Sequence, residues 1–271
     1  MSNASGTFTT TKKNGQTIYR ASIYYKKKHI SLGSFDDSEE ARRAYLEAEE
    51  ILRGPDKIRI EDHAPNHALS FSKWVNLVTF RDTNHYYRTP LSMRADFFYY
   101  YVSRGHRLRF DLEDLTFFST HKITQRGRQF FVTVDGHQVP LLSLFGIHAH
   151  SVAGKDYEFI DGNARNLRRS NIRILNPYHG VRKEFRKGMP VYAARIHVNG
   201  DLLIGRYPTE EEAAIAYNKA AALLGEQGCP INYPANQIAG MDEFDYERIY
   251  HLVKISEKIR KVYHQGTVDN A

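Results

Sequence analysis

Two stretches of the chain alternate apolar and polar residues with the period of two that is typical of a half-buried β-strand, at 19–25 and 192–198. Each is followed by a turn and by a second strand that ends at a Gly-x-aromatic triplet. An alanine-rich segment with an acidic first turn comes next in both places, at about 38–53 and 209–225, and acidic first turns favour helices. The pattern therefore predicts, twice, an antiparallel sheet with one helix behind it.

The two regions are copies of one another. Residues 19–45 read YRASIYYKKKHISLGSFDDSEEARRAY, and residues 192–217 read YAARIHVNGDLLIGRYPTEEEAAIAY. Aligning the first tyrosines brings identical residues together, among them Tyr19 with Tyr192, Ala21 with Ala194, Ile23 with Ile196, Gly33 with Gly205 and Tyr45 with Tyr217. The copies differ in length by one residue at the turn, where a repeat tolerates a length change. We interpret them as an internal repeat.

Charge separates strands from helices in both copies. Residues 1–35 hold six basic and no acidic residues, a charge of +6, whereas residues 36–54 hold three basic and seven acidic residues, a charge of −4. In the second copy, residues 180–207 hold six basic and two acidic residues (+4), and residues 208–226 hold one and four (−3). Because apolar residues face the helix, the basic residues lie on the outer face. This face suits a polyanionic partner, although a merely solvated face also needs polar residues.

Residues 180–234 contain a Gly-Val-Arg start, an aromatic-Ala-Ala-x-Ile strand, a Thr-Glu-Glu-Glu-Ala-Ala-x-Ala-Tyr helix and a closing Asn-Tyr-Pro. With these motifs the segment resembles an AP2/ERF DNA-binding domain, a family whose sheet enters the major groove and contacts bases and phosphates. Two positions depart from the family pattern: Glu184 replaces a usual second arginine, and Leu203 replaces a usual tryptophan. Residues 6–53 resemble the same domain more loosely, with Phe8 in place of the motif arginine.

The resemblance implies a set of DNA contacts on these sheets. Arg182 follows from the Gly-Val-Arg motif, and Arg195 and His197 follow from the outer face of the second strand. Local charge adds candidates for phosphate contacts, which are Lys183 and Arg186 in the second copy and Lys12, Lys13, Arg20, Lys26 and Lys27 in the first. Contacts to phosphates add affinity but carry little sequence information.

The stretch between the two copies is rich in neighbouring aromatic residues, including the run at 97–101. Consecutive aromatics flanked by turn residues favour strands of a buried core, and stacking on unpaired bases is the alternative. Residues 128–145 predict a hairpin around Asp135-Gly136, because Asp-Gly between apolar runs is a favoured two-residue turn.

Residues 156–175, at the end of this stretch, read DYEFIDGNARNLRRSNIRIL. The Asp-Gly-Asn triplet, the asparagines at 166 and 171 and the arginines between them resemble the last part of an HNH endonuclease domain, which is a ββα unit. The resemblance implies such a motif at about 128–175. HNH domains beside AP2 repeats occur in bacterial and phage homing-type nucleases, so it also implies descent from one of them.

An HNH nuclease needs a metal ion at the scissile phosphate and a neutral histidine as general base. On the family motif, Glu158 falls on the usual metal-ligand position, where a carboxylate suits Mg²⁺ or Mn²⁺. Phe159 falls on the position of the general base, and a phenyl ring cannot accept a proton. Asn171 matches the asparagine that orients the base, and His179 lies close to a later metal ligand. We therefore expect the module to have lost catalysis.

Two alternatives for this module stay open. In the first alternative, another histidine of the region acts as the base, although nothing in the spacing requires this; the candidates are His137, His148 and His150. In the second alternative, the predicted helix binds phosphates without cleaving DNA. Its four arginines and one acid, Asp161, give it a net charge of +3, and these arginines are Arg165, Arg168, Arg169 and Arg173. A solvated helix face would carry the same residues.

The C-terminal residues 240–264 have apolar residues at helical spacing and predict a helix. Its charges nearly cancel, with five basic and six acidic residues up to Asp269. We expect this helix to pack on the body of the protein, and a dimer contact is the alternative.

Together these patterns predict an α+β protein. It has two three-stranded antiparallel sheets, each backed by one helix, with a central ββα module and a C-terminal helix. The predicted boundaries are 5–55 for the first AP2-like domain, 56–178 for the central HNH-like domain, 179–236 for the second AP2-like domain and 240–264 for the C-terminal helix.

Composition narrows the functional classes. The chain of 271 residues has a net charge of +7 and one cysteine, Cys229, so it has no internal disulfide. No apolar run approaches the ~20 residues that cross a bilayer, and no secretory signal opens the chain. We expect an intracellular protein, in the cytoplasm or nucleoid of a bacterium or phage host, or in a eukaryotic nucleus.

The predicted function is sequence-selective binding of double-stranded DNA, in the regulation of transcription. We expect no membrane partner, no small-molecule substrate and no cofactor. The first alternative is an active endonuclease that uses Mg²⁺ or Mn²⁺ with a non-standard base. The second is a structural or RNA-binding scaffold.

Overall fold

The computed structural model describes residues 6–148 and 151–262. The chain divides into two compact units, Met1–Leu141 with Phe159–Ile172, and Leu142–Glu158 with Arg173–Ala271. The predicted α+β class is confirmed: the described residues form four antiparallel three-stranded sheets, one two-stranded pair and six α-helices. None of these helices has the length and apolar character needed to span a membrane.

The first unit opens with a three-stranded meander and a helix. Their bounds are β1 (Thr7–Thr11), β2 (Thr17–Tyr25), β3 (Lys28–Phe35) and α1 (Ser38–Arg53). Asp37 caps α1, its side chain accepting the Glu39 N–H at 3.2 Å. The buried face of α1 is mostly alanine, so the helix lies close against the apolar face of the sheet, and its core includes Ile23 and Ile30. The predicted sheet and helix are confirmed here.

The rest of the first unit consists of one longer helix, two further meanders and one short helix. These are α2 (Phe71–Thr83), β4 (Leu91–Met93), β5 (Phe97–Ser103), β6 (His106–Asp111), α3 (Leu115–Phe118), β7 (Ile123–Arg126), β8 (Gln129–Val134) and β9 (His137–Pro140). The Asp135-Gly136 hairpin is confirmed, with both residues at positive φ, 48° and 80°. Phe98, Phe110 and Phe118 are buried and in ring contact, so the aromatic run does contribute to a core.

Two short strands, β10 (Tyr157–Phe159) and β11 (Ile172–Ile174), pair with each other. Two of the boundaries between the units fall inside these strands, after Glu158 and after Ile172. The second unit then repeats the opening architecture and ends in two helices. Its elements are β12 (Val181–Arg186), β13 (Met189–His197), β14 (Asp201–Tyr207), α4 (Glu210–Glu226), α5 (Glu243–Leu252) and α6 (Glu257–Lys261). Thr209 caps α4, its side chain accepting the Glu212 N–H.

The two copies share a β-bulge that the alternation alone does not show. The register of β2 with β3 shifts after Ala21, and that of β13 with β14 shifts after the equivalent Ala194. In each case one apolar residue of the neighbouring strand has no residue opposite it in the register. This residue is Leu32 in the first copy and Ile204 in the second. Both of these residues are buried. The bulge therefore lets the strand bend while its extra side chain stays in the core.

The repeat also extends to a glycine before the first strand of each sheet. Gly6 and Gly180 both have positive φ, 87° and 67°. Each carbonyl accepts a backbone N–H from the middle strand, that of Ser22 at 2.8 Å and that of Arg195 at 2.7 Å. A Cβ at Gly180 would lie 2.2 Å from the Arg195 carbonyl oxygen, so the close approach requires glycine.

The central ββα prediction needs correction. The described residues between 128 and 175 contain no α-helix, neither the helix of the ββα motif nor the arginine-rich helix. Asp161 Oδ1 accepts the Asn163 N–H at 2.8 Å, and Asn163 Oδ1 accepts the Arg165 N–H at 3.0 Å. Such local bonds give the backbone an alternative to helix formation. A 3₁₀ turn at Arg169–Asn171 follows.

The predicted single C-terminal helix is also corrected, because the described part of 240–264 contains two helices, α5 and α6. Between them Ser256 donates its N–H to the Ile204 carbonyl at 2.8 Å, which holds the linker extended along β14. Ile255 and Ile259 are buried in the core of the second unit, so packing on the body is confirmed. Residues 263 and 264 lie outside the described residues.

Candidate nucleic-acid interface

The outer face of the second sheet carries a row of side chains that crosses all three strands. Arg182 on β12 lies opposite Ala193 on β13, which in turn lies opposite Arg206 on β14. Side chains opposite one another in adjacent strands share a face, so two arginines flank an alanine that is 0% exposed. Arg195 lies two residues further along β13, between the inward-facing Ala194 and Ile196. Three guanidinium groups therefore occupy one face of one sheet.

Glu184 organises two of these arginines. Its carboxylate accepts a hydrogen bond from Arg206 Nε at 2.8 Å and lies 3.5 Å from an Arg195 guanidinium nitrogen. The hydrogen bond from Arg206 lowers the pKa of Glu184, and the charge of Arg195 adds to this effect. The carboxylate is thus ionised at neutral pH and holds both guanidiniums in place. Glu184 was singled out in the sequence as a departure from the family pattern, and the structure gives it these two partners.

Arg182 and Arg186 differ in how they are held. Arg182 Nε lies 3.5 Å from Asp156 and remains 45% exposed. Arg186 is exposed and forms no ion pair among the described residues. Lys183 shares the strand parity of the inward Val181, and its Nζ lies 5.8 Å from the centroid of the Phe185 ring. Burial raises the pKa of Glu210 at the start of α4, and the nearby charge of Lys183 offsets part of this shift. The structure therefore brings Arg182 and Arg186 to the outer face and leaves Lys183 on the helix side.

His197 ends the outer face at the β13–β14 turn. Its Nδ1 lies 3.0 Å from Asp201 Oδ1, and both side chains are 71% exposed.

The first sheet carries a different row at the same register. Phe8 on β1 lies opposite Arg20 on β2, which lies opposite Ser34 on β3. Arg20 is exposed and has no ion-pair partner among the described residues. Tyr24, further along β2, is 60% exposed. This outer face thus offers one guanidinium amid hydroxyl and aromatic groups.

The lysines of the first copy lie in its two hairpin turns. Lys12 and Lys13 precede the β1–β2 turn, and Lys12 Nζ donates to Gln16 Oε1 at 3.1 Å. Lys26 and Lys27 form the β2–β3 turn with positive φ, 44° and 63°. Lys26 donates to Asn84 at the end of α2, so it is tied to the body of the unit, whereas Lys27 is exposed.

The central arginines are mostly held by carboxylates of their own unit. Arg169 forms a bidentate salt bridge with Asp114, in which its two terminal guanidinium nitrogens lie 2.7 and 2.8 Å from the two carboxylate oxygens. This hydrogen bonding raises the pKa of Arg169. Arg168 lies 3.5 Å from Asp96. Arg165 is exposed and forms no ion pair among the described residues. Of these three predicted phosphate contacts, Arg165 is the one whose charge is not already neutralised.

The nuclease-like motif folds as a hydrogen-bonded loop. Asn171 is 4% exposed; its Oδ1 accepts the Asp161 N–H at 2.8 Å and its Nδ2 donates to the Asn166 carbonyl at 2.8 Å. Asn166 Nδ2 donates to Asp161 Oδ2 at 2.7 Å, and this bond lowers the pKa of Asp161. The side chains of the motif therefore close the loop from within. Asn171 acts here as a structural residue of that loop.

The remaining positions of the predicted catalytic set have other partners. Glu158 forms an ion pair with Arg173, and Phe159 is half-buried. The ring of His179 contacts that of His148, with centroids 3.9 Å apart and planes inclined by 35°. His150 lies outside the described residues. Within 6–148 and 151–262, no group of three or more His, Cys, Asp or Glu side chains is arranged to hold a metal ion.

Sequence reasoning missed Arg206 and Asp156. The signal for Arg206 is its place between the glycine and the aromatic residue of the Gly-x-aromatic triplet, since both neighbours pack inward. Asp156 gives no such signal, because it reaches Arg182 only through the fold of the second unit. Comparisons of the chain with protein-family models, with curated proteins and with solved structures found no match.

Proposed function

We propose that the chain is a sequence-selective binder of double-stranded DNA, and that residues 180–234 act as an AP2/ERF-type domain whose sheet enters the major groove. The observation that carries the proposal is the outer face of the second sheet, where Arg182, Arg195 and Arg206 lie on three adjacent strands. A guanidinium group donates two parallel hydrogen bonds to guanine O6 and N7 or to a phosphate. Three such groups on one rigid sheet suit a base-reading surface.

Glu184 supports selectivity in this proposal. By holding Arg195 and Arg206 it fixes the guanidinium planes before DNA arrives, so less side-chain entropy is lost on binding. A carboxylate on the same face also repels phosphates that approach in the wrong register. Both effects favour DNA bound in one register over nonspecific attraction of the sheet to any polyanion.

The first sheet contributes phosphate contacts in this proposal. Its exposed basic groups include Arg20 on β2 and Lys12, Lys13 and Lys27 in the hairpin turns, and none of these four forms an ion pair among the described residues. Two sheets with unequal outer faces would contact two unlike subsites, so the target is not a palindrome. Such a protein acts within the cell on its DNA, and regulation of transcription is the process we propose.

The central module takes a binding role without cleavage in this proposal. Phe159 at the general-base position and the ion pair of Glu158 with Arg173 support that role, because each removes a group that HNH chemistry needs. The resemblance to the HNH motif then reflects ancestry. The module needs no cofactor for this role.

An active endonuclease is the second candidate. One observation favours it: the rings of His148 and His179 are in contact, and both side chains line a cleft of about 630 Å³ together with Asp156. These side chains are of the kinds that act as bases or hold Mg²⁺ or Mn²⁺. If this candidate is correct, His148 takes the place of the missing base.

Selection of binding sites from random duplex DNA tests the leading proposal. The expected result is one enriched, non-palindromic site. Binding to it should weaken with salt, with a slope of log affinity on log salt of about −0.9 for each neutralised phosphate. An affinity that does not change between about 50 and 200 mM salt would contradict the proposal.

Incubation of a plasmid bearing the selected site with Mg²⁺ or Mn²⁺ separates the two candidates. We expect no nicking by the natural chain. Sustained nicking that is lost in both Glu158→Ala and His148→Ala would instead establish the endonuclease. Restoration of cleavage by Phe159→His alone would support the lost-nuclease ancestry.

A further inference from the structure

The β5–β6 hairpin of the first unit has two faces of different chemistry. One face is apolar and buried, with Phe98 and Tyr100 on β5. The other carries Phe97, Tyr99 and Tyr101 on β5 beside arginines on β6. The register places Tyr99 opposite Arg109, and Tyr101 opposite Arg107.

On that second face the guanidinium groups stack on aromatic rings. Arg107 Cζ lies 4.0 Å from the centroid of the Tyr99 ring, and Arg109 Cζ lies 3.9 Å from that of Phe97. A guanidinium stacked by its plane keeps its N–H groups at the edge, where they remain able to donate. Stacking therefore orders these side chains without using their hydrogen-bonding capacity.

A cleft of about 650 Å³ opens beside this face, wholly within the first unit. Four arginines line it, Arg104, Arg107, Arg109 and Arg165, against one acid, Glu61. Arg165 is brought there by the backbone, because the Arg109 N–H donates to the Arg165 carbonyl at 2.8 Å. None of the four guanidiniums forms an ion pair or side-chain hydrogen bond among the described residues, which leaves a lining charge of +3.

Tyr101 is among the residues that line the cleft, and it is 6% exposed. Its hydroxyl is buried within the protein and has no hydrogen-bond partner among the described residues, so a ligand in the cleft does not contact it. The sign of an anionic ligand is therefore the arginine charge.

We propose that this cleft binds phosphate esters. A carboxylate is satisfied by a single guanidinium fork, whereas three or four forks suit the many oxygens of a polyphosphate or of consecutive phosphates along a strand. The ligand is therefore either a nucleic-acid strand, held by its backbone, or a free nucleotide. The site lies in the first unit and outside both repeats, so it does not depend on duplex binding by the second sheet.

Calorimetric titration of the full chain with ATP and with a 12-nucleotide oligothymidine tests the site. At least one probe should bind with a dissociation constant below about 1 mM, and the tighter of the two identifies the source of the phosphates. The double substitution Arg107→Gln with Arg109→Gln should weaken binding at least about tenfold. The matched control is Arg42→Gln with Arg43→Gln, which removes the same charge from exposed positions on α1 of the same unit and should leave affinity within about twofold.

Two further variants test the proposal if the Arg107→Gln, Arg109→Gln variant does not fold. Arg107→Lys with Arg109→Lys keeps the charge but loses the planar forks, and should weaken probe binding. Tyr101→Phe removes only the buried, unpaired hydroxyl, so it should leave probe binding within about twofold and thermal stability unchanged or higher. If neither ATP nor the oligothymidine binds, or if the α1 control loses as much affinity as the double glutamine variant, the proposal is overturned. Arg182→Gln should not change probe binding, which separates this site from the second sheet.

Discussion

The two sheets of the repeat have the same frame and different outer faces. Both have the β-bulge at the same alanine, the glycine that accepts a bond from the middle strand and the alanine-rich helix behind. Yet the cross-strand row on the outer face is Phe8–Arg20–Ser34 in one and Arg182–Ala193–Arg206 in the other. Packing constrains the inner face because every residue there has close neighbours. The outer face carries most of the exposed side chains of each sheet, so the two copies can differ there without disturbing the core.

This difference suggests a division of labour. The second sheet carries several arginines fixed by Glu184, an arrangement suited to reading bases. The first sheet offers one free arginine and turn lysines, which suit phosphates. A test of the comparison must therefore change equivalent positions in both sheets and ask for unequal effects.

The largest expected effect is on DNA affinity. Arg182→Gln with Arg206→Gln removes both arginines of the second row and should cost about 2–6 kcal/mol of specific binding, since each bidentate base contact is worth about 1–3 kcal/mol. Arg20→Gln, on the first row, should cost about 1 kcal/mol and do so equally on specific and random DNA. Fluorescence anisotropy with the selected site and with a scrambled duplex measures both.

Arg43→Gln on α1 is the control for these variants, because it removes an exposed positive charge from an acidic helix. It should leave both affinities nearly unchanged. If the Arg20 variant loses as much discrimination as the double variant, the two sheets read DNA alike and the division of labour is wrong.

The next effect concerns stability at the equivalent glycines. Gly180→Ala should destabilise the second unit by about 3 kcal/mol, because its Cβ would meet a carbonyl oxygen at 2.2 Å and its φ is positive. Gly6→Ala should cost less, about 2 kcal/mol, because the nearest atoms belong to the side chain of Tyr45 and the nearest backbone oxygen, that of Ser22, lies 2.9 Å from the Cβ. Gly188→Ala has positive φ but open space and should cost about 1 kcal/mol.

Urea unfolding measures this order. Trp74, the only tryptophan of the chain, reports on the first unit by fluorescence, and circular dichroism reports on both units. Equal losses at Gly180 and Gly188 would show that backbone conformation, and not the shared close contact, sets the cost.

The elements that depend on short-range sequence pattern could be predicted from the sequence alone. Period-two alternation predicted the strands of both copies, and the alanine-rich segments predicted α1 and α4 to within a residue at their ends. The central region was predicted less well. The helix expected among its arginines is replaced by a loop, because Asp161 and Asn163 bind the backbone of that loop.

Contacts between distant residues account for most of what the sequence did not show. The single helix predicted over 240–264 is interrupted where Ser256 binds β14, more than fifty residues earlier. By its charge alone, Arg169 is a candidate for a phosphate contact. Only the fold shows that its guanidinium group already forms an ion pair with Asp114. Charge counts along a sequence therefore overestimate the groups that remain able to bind a partner.

Substitution of Glu184 is expected to have a smaller effect than either of these. Glu184→Gln removes the carboxylate that holds Arg195 and Arg206, so affinity for random DNA should rise while discrimination for the selected site falls by about 1 kcal/mol. The salt dependence should become steeper because the face gains one positive charge. The matching position in the first sheet is Thr10, and Thr10→Val should change neither quantity. A loss of affinity for random DNA in Glu184→Gln would contradict the role assigned to the carboxylate.

The smallest expected effect is the acid dependence of stability in the second unit. Hydrogen bonding from Arg206 lowers the folded-state pKa of Glu184 below its ordinary value of 4.5. A carboxyl whose pKa is lower in the folded state stabilises the fold above its unfolded pKa, and that contribution is lost as the pH falls through the folded pKa. The natural chain should therefore lose stability from about pH 5 downward, by less than about 1 kcal/mol for a partly exposed pair. Glu184→Gln should lose correspondingly less over the same range in urea titrations, and the first sheet, with Thr10 at this position, should show no counterpart. Parallel curves for the two proteins would mean that the ion pair in the second sheet contributes nothing to its stability.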